Sequence, residues 1–268
     1  MSTFYPSATL ERRNEEFGLQ VARGQVPGHR VVQVFGYNPD VDTSEETIWP
    51  DGGTLHHSDS ASVLKVSSSS ASDTAAGTGA RTVFIEGVDD SYAVVSELVT
   101  LNGQTAVNTT NSYRFVNSMY VASVGSGGSN AGNINIGTGT VTAGVPAVLY
   151  DIIASGYNNR TTGHYCVPAG YTGYMTAGVI TTGQSSGSTS VTAFLKQHGP
   201  DGILRVGAVS TLNNGSVQYD FNPPFVIPEK NCVGASVIGS SANNSASSFF
   251  NIVLVKGANA AAPGTPWN

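Results

Sequence analysis

The run Tyr113-Arg114-Phe115-Val116-Asn117-Ser118-Met119-Tyr120-Val121-Ala122-Ser123-Val124, closed by Gly125-Ser126-Gly127-Gly128, sets the style of the whole chain. Its β-branched and aromatic residues suit a pleated, half-buried strand, and the glycines and serine after it are turn residues. The same unit recurs at 61–66, 82–86, 93–101, 133–136 and 147–153, then at 171–180, 190–195, 203–209, 232–238 and 249–255. Short strands at intervals of about 8–12 residues are the pattern of a sandwich or barrel. The expected class is all-β, with a β-sandwich or jelly-roll-like body. Asn102-Gly103 and Asn214-Gly215 read as type I′ hairpin turns, which need positive φ at both central positions. The Ser/Gly/Ala-rich stretches 67–79 and 126–132 read as exposed loops or linkers. Ser155-Gly156-Tyr157-Asn158-Asn159 separates two strand groups, so the body divides into 56–160 and 161–268, as two β regions or as one continuous sandwich.

Residues 1–51 differ in texture, holding 12 of the 30 charged residues of a 268-residue chain. Within 8–23 a short helix is expected, with Thr9 as N-cap, Gly18 interrupting it and Gly24 ending it. From there Gly24, Pro27, Gly28, Gly36, Pro39, Pro50, Gly52 and Gly53 forbid a long helix. An extended N-terminal docking arm over 1–55 is the expectation. Its candidate partner-binding residues are Arg12, Arg13, Phe17, Arg23, His29, Arg30, Phe35, Ile48 and Trp49, because arginines and large apolar side chains dominate protein interfaces.

Charged residues make up 11% of the chain, with 32 glycines and a net charge of −6. A surface so poor in Lys and Glu weakens the self-repulsion that keeps monomers apart, which argues for a homo-oligomer or an assembly component. No Lys/Arg run supplies the footprint of a nucleic-acid binder. No stretch of 18 apolar residues occurs, so no segment is long and apolar enough to span a bilayer as a helix, and Met1-Ser2-Thr3-Phe4-Tyr5-Pro6 lacks the pattern of a secretory leader. Cys166 and Cys232 each sit in an apolar, strand-like segment and are either buried free thiols or one disulfide.

Catalytic constellations do not stand out. There is no Gly-x-Ser-x-Gly elbow between a strand and a helix, and no glycine-rich phosphate loop opening a helix. His56-His57 read as solvated loop histidines, with metal binding the lesser alternative, while His164 and His198 are isolated in sequence. Asp89-Asp90 fall between two strand runs and read as turn residues; Asp73 lies in the Ser/Ala loop. The expectation is therefore no enzyme, no catalytic residue, no bound metal and no cofactor. Tyr157, Asn158, Asn159, Tyr165, Tyr171 and Tyr174 offer rings and amides of the kind that contact glycans, with core or subunit packing as the plainer alternative.

One resemblance gives these features a setting. The stretch Val21-Ala22-Arg23-Gly24-Gln25-Val26-Pro27-Gly28-His29 through Phe35-Gly36-Tyr37-Asn38-Pro39-Asp40-Val41-Asp42-Thr43, ending in Ile48-Trp49-Pro50-Asp51-Gly52-Gly53, resembles a leader of tailed-bacteriophage virion structural proteins. Leu101-Asn102-Gly103-Gln104-Thr105 and Val167-Pro168-Ala169-Gly170-Tyr171 are similar to segments of the same proteins. The resemblance implies a phage virion structural protein made in the host cytoplasm, without catalytic residues. On that reading it is a capsid decoration or cement protein, expected as a trimer, bound to the major capsid protein through its arm. The alternative is a tail or neck component, adaptor-associated or a spike or fibre, that binds portal or tail proteins and touches host glycans. Neither nucleic acid nor membrane is an expected partner.

Overall fold

The computed structural model describes residues 15–184 and 189–257. After a short helix, α1 (Phe17–Ala22), come β1 (His29–Val41) and β2 (Glu46–Thr47). The next strands are β3 (Ser62–Ser68), β4 (Ala80–Val88), β5 (Val94–Thr100), β6 (Val107–Tyr113), β7 (Phe115–Val124), β8 (Ile134–Thr142) and β9 (Val145–Ile153). Last are β10 (His164–Cys166), β11 (Tyr171–Gly183), β12 (Val191–His198), β13 (Leu204–Leu212), β14 (Gly215–Ile227), β15 (Cys232–Gly239) and β16 (Asn244–Lys256). Among the described residues the protein is all-β apart from that one helix.

The strands form two sandwiches. One combines a sheet of order β1-β16-β11-β14 with a second of order β10-β15-β12-β13, to which β2 adds through β15. Its antiparallel pairs are nested: β1 with β16, β2 with β15, β11 with β14, and β12 with β13. That is one long hairpin rolled over itself and closed by the pairs β11–β16 and β12–β15, which is a jelly roll. Alternate residues face inward, so Val34, Met175, Ile180, Leu195, Val237, Phe250 and Ile252 fill one dry core. The other sandwich, of orders β6-β3-β8-β9 and β5-β4-β7, has its own core around Leu64, Val83, Ile85, Tyr113, Met119 and Ile136.

The second sandwich is inserted into the first at one strand. β2 and β10 lie end to end along β15, with Glu46 opposite Val237, Thr47 opposite Ser236, and His164 opposite Gly234. Across the break, Ile48 N donates to Ala235 O (3.0 Å), Ala235 N to Gly163 O (3.0 Å), and Gly163 N to Ile48 O (2.8 Å). One strand position of the jelly roll is thus built from two pieces of chain, and residues between them make the inserted sandwich.

Of the docking arm expected over 1–55, the described part, residues 15–55, lies within the body, because β1 and β2 pair inside the jelly roll. β1 runs antiparallel to β16 from His29 opposite Val255 to Val41 opposite Asn244. Gly36 permits this: a Cβ there would meet Gly163 Cα at 2.7 Å and Ser248 Oγ at 2.5 Å. The helix begins at Phe17, with Gly18 inside its first turn, and the Glu16 carboxylate accepts from Gly18 N and Leu19 N as its cap. The cap expected at Thr9 falls outside the described residues.

Neither Asn-Gly pair makes a hairpin. Asn102-Gly103 carries the chain from β5 in one sheet to β6 in the other, and Asn213-Asn214 carries it from β13 to β14 across the jelly roll. Only Gly103 and Asn214 of those pairs take positive φ. The tight two-residue hairpin is instead Ala143-Gly144 between β8 and β9, with φ of 50° and 80°. Nor are the Ser-rich stretches merely exposed. The buried Asp73 carboxylate accepts from Ser68 Oγ (2.6 Å), Ala80 N (2.6 Å), Ala131 N (2.8 Å) and Gly132 N (2.9 Å), knotting both loops together.

Candidate functional site

Two places stand out, a polar cluster at the junction of the sandwiches and an apolar edge of the jelly roll. The junction is built on the outer face of the sheet that holds β10, β15 and β12. Tyr165, Val233, Leu195 and Ala235 point from these strands into the jelly-roll core. Alternation therefore sends His164, Cys166, Cys232, Lys196 and His198 to the other face, where His198 lies opposite Cys232 and Cys232 opposite Cys166. The inserted sandwich covers this face: Val88, Tyr92 and Phe115 pack on the two cysteines. Asn117 of β7 stitches the seam by donating to Cys166 O (2.7 Å) and accepting from Cys166 N (2.9 Å). Arg160 pairs with the buried Asp151 and donates to Asn117 O (2.8 Å). Burial pushes the Asp151 carboxyl upward, and the Arg160 guanidinium opposes that rise.

The cysteines are joined as a disulfide, with Cα atoms 3.8 Å apart. Of the two states open from sequence, the buried free thiols are therefore excluded. The pair sits under the junction and crosslinks β10 to β15.

Three histidines that sequence spacing leaves unrelated meet here. His57, between β2 and β3, places its ring centroid 5.0 Å from that of His164 and 4.5 Å from that of His198. His57 Nδ1 and His164 Nε2 are buried without a hydrogen-bond partner. Burial holds His57 down to about 4 and His164 well below the ordinary imidazole range; neighbouring imidazoles push the same way. His198, half-buried, is also lowered by burial. The rings border a cavity of about 240 Å³ rimmed by Glu45 and Lys196, which form an ion pair. His57 is thus no solvated loop residue. His56 takes another course and packs on Tyr150 at 5.0 Å.

The leader residues chosen as partner anchors fall into three groups. Ile48 (0% exposed) lies in the jelly-roll core, and Trp49 (2%) packs with Leu55 and Ile152 while its indole N–H donates to Gly52 O (2.6 Å). They anchor the leader to its own chain, because the leader supplies strands to the jelly roll. Arg23 and Arg30 pair internally, Arg23 with Glu15 and Arg30 with Glu86 of β4 (2.9 Å); His29 Nδ1 lies 3.0 Å from Pro27 O. Only Phe17 (54%) and Phe35 (48%) remain as exposed apolar groups, Phe17 against the His29 ring and Phe35 against Phe249. Arg12 and Arg13 lie outside the described residues.

The tyrosine group does not form one surface. Tyr165 is buried in the jelly-roll core, and Tyr171 is half-buried against it. Tyr174 lines a groove beside α1, while Tyr157 is exposed on the loop after β9. Asn158 is occupied with Asn130 and the Gly128 carbonyl, and Asn159 bridges to Tyr120. Asp89 caps its own turn by accepting from Ser91 N and Ala93 N, while Asp90 accepts from Ala61 N.

The apolar edge is the strand β13. Among the described residues it pairs only with β12, and Leu204, Val206 and Val209 on it, with Ile203 just before it, are each about half exposed. Its one charged residue, Arg205, is held by Asp201 (2.6 Å). β14, the matching edge of the other sheet, carries Pro223-Pro224, which lack the N–H groups a further strand would use.

No family model matches this chain, and no curated protein matches it. Among solved structures, that of infectious bursal disease virus Gx strain has 12% identity and a TM-score of 0.25, over 86% of this chain and 73% of that one. The infectious bursal disease virus VP2 subviral particle has 12% identity and a TM-score of 0.24, over 87% and 73%. Likeness at that level carries no argument about function.

Proposed function

We propose that this chain is a structural protein of a bacteriophage virion, a homo-oligomeric decoration or cement protein on the capsid surface that works by association and not by catalysis. The observation that carries the reading is the half-exposed apolar row Ile203, Leu204, Val206 and Val209 on an edge strand of a jelly roll whose chain is only 11% charged. An unguarded apolar edge is a liability unless another chain covers it. A second copy of this chain suits it, since the surface has little charge to repel a like partner. The leader resemblance supplies the virion setting, and its residues have structural work: Gly36 allows the close approach to Gly163, Asn38 donates to Glu46 (2.7 Å), and Trp49 closes on Gly52.

Among the described residues, Phe17 and Phe35 are the leader anchors still exposed to a partner. The tail-spike alternative loses the glycan cluster on which it stood, because its tyrosines are dispersed. Counting copies per purified particle against the major shell protein tests the reading. Many tens to hundreds of copies are expected for decoration; about six to eighteen would assign the protein to the tail vertex, and absence from particles would overturn the virion role.

A further inference from the structure

We propose that the junction binds a divalent transition-metal ion through the imidazoles of His57, His164 and His198. Three ligands of one chemical type reach this place from three different elements: the segment after β2, the start of β10 and the end of β12. Two of their ring nitrogens, His57 Nδ1 and His164 Nε2, are buried with no partner, and His164 is only 4% exposed. A buried polar atom left unpaired costs about 1–3 kcal/mol, so a fold that keeps two in one place has a use for them.

His57 stands from each of the other two rings at the spacing of a shared ion. A Zn–N bond of about 2.0–2.1 Å puts each ring centre roughly 3.2 Å from the metal, so two rings at a tetrahedral angle stand about 5 Å apart. The observed centroid separations are 5.0 Å for His57–His164 and 4.5 Å for His57–His198. Room is provided by Gly234, which sits opposite both His164 and Lys196 and has no side chain; a Cβ there would meet His164 Cδ2 at 3.1 Å. The resulting cavity, about 240 Å³, leaves a fourth coordination position open to water, and the Lys196 ammonium at its rim is balanced by Glu45. Three neutral nitrogens and one open position suit zinc, cobalt, nickel or copper and not magnesium or calcium, which take oxygen.

The sulfurs of Cys166 and Cys232 lie within 4.8 Å of a His164 nitrogen but are tied up in their disulfide, so they are not counted as ligands. An ion here would fasten the segment between β2 and β3 to β10 and β12 and so lock the inserted sandwich to the jelly roll.

The test is a zinc titration of the full chain, free of any polyhistidine tag, stripped with chelator and kept non-reducing. One ion per chain is expected by calorimetry, with a rise in the thermal midpoint, and cobalt in its place should give visible absorption of tetrahedral type. His198→Gln, at a half-buried position that leaves the core intact, should weaken binding at least tenfold and remove the thermal shift. His57→Ala should do the same, and His56→Gln should bind like the wild type. Three results would overturn the assignment: no binding by the wild-type chain, equal binding by His198→Gln, or binding that appears only after disulfide reduction and vanishes in Cys166→Ser.

Discussion

The leader and the strand β13 exchange the roles that their sequences advertise. The leader is rich in charge and in helix-breaking residues, yet Val34, Val41, Ile48 and Trp49 are all buried. β13 has the apolar composition of an interior strand, yet Leu204, Val206 and Val209 are each about half exposed. The difference lies in partners, not in local pattern. β1 is covered because β16, at the opposite end of the chain, pairs with it along nearly its whole length. Among the described residues, β13 has a neighbour on one side only. Composition tells which segments are strands; the order of strands in a sheet tells which of them are wet.

The sharpest way to break this comparison is to remove a buried leader anchor. Trp49→Ala deletes a side chain packed between the leader and Ile152 and should cost about 3–5 kcal/mol in a urea unfolding curve. A fully folded variant of unchanged midpoint would return the leader to the status of a free arm.

Acid should loosen the same region. His57 is held to about 4 and His164 lower still in the folded state, against about 6.5 when unfolded, so the unfolded chain binds more protons below pH 6.5. Stability should therefore be level above that pH and fall as the pH drops from about 6.5 through about 4, by on the order of 3 kcal/mol for His57 alone. Urea midpoints taken at pH 7, 6 and 5 would show the slope, and His57→Gln should flatten it.

Asp73 extends the comparison to a loop that reads as exposed and is not. Asp73→Asn keeps the size but puts an amide donor among four donors, and should cost about 1–3 kcal/mol by thermal unfolding. The smallest effect on stability belongs to β13. In the dissociated monomer, Val206→Lys with Val209→Lys should change unfolding by no more than about 0.5 kcal/mol, because both side chains are half in water there.

Much of the fold was legible for a simple reason: short β-branched runs between turn residues form strands wherever they end up. In the interval around 155–165, the last strand of the inserted sandwich ends at Ile153 and the next strand starts at His164. The splitting of one strand into β2 and β10 was not legible, since Glu46-Thr47 is too short to show a period. The Asn-Gly pairs misled for a related reason. A positive-φ turn serves a sheet-crossing corner as well as a hairpin, and only the partner strands distinguish them. The junction histidines left one faint trace. His164 and His198 sit in or beside apolar strands where a polar residue needs a reason to be buried, yet nothing along the chain ties them to His57.

Whether the exposed β13 face is covered by another copy can be read from the mass of the intact chain in solution. Light scattering across a concentration series should give a closed oligomer, with a trimer the expected form, that falls to the 27.6 kDa monomer in the Val206→Lys, Val209→Lys variant. A wild-type chain that stays monomeric at every concentration, or a double variant that assembles as well as the wild type, would contradict it.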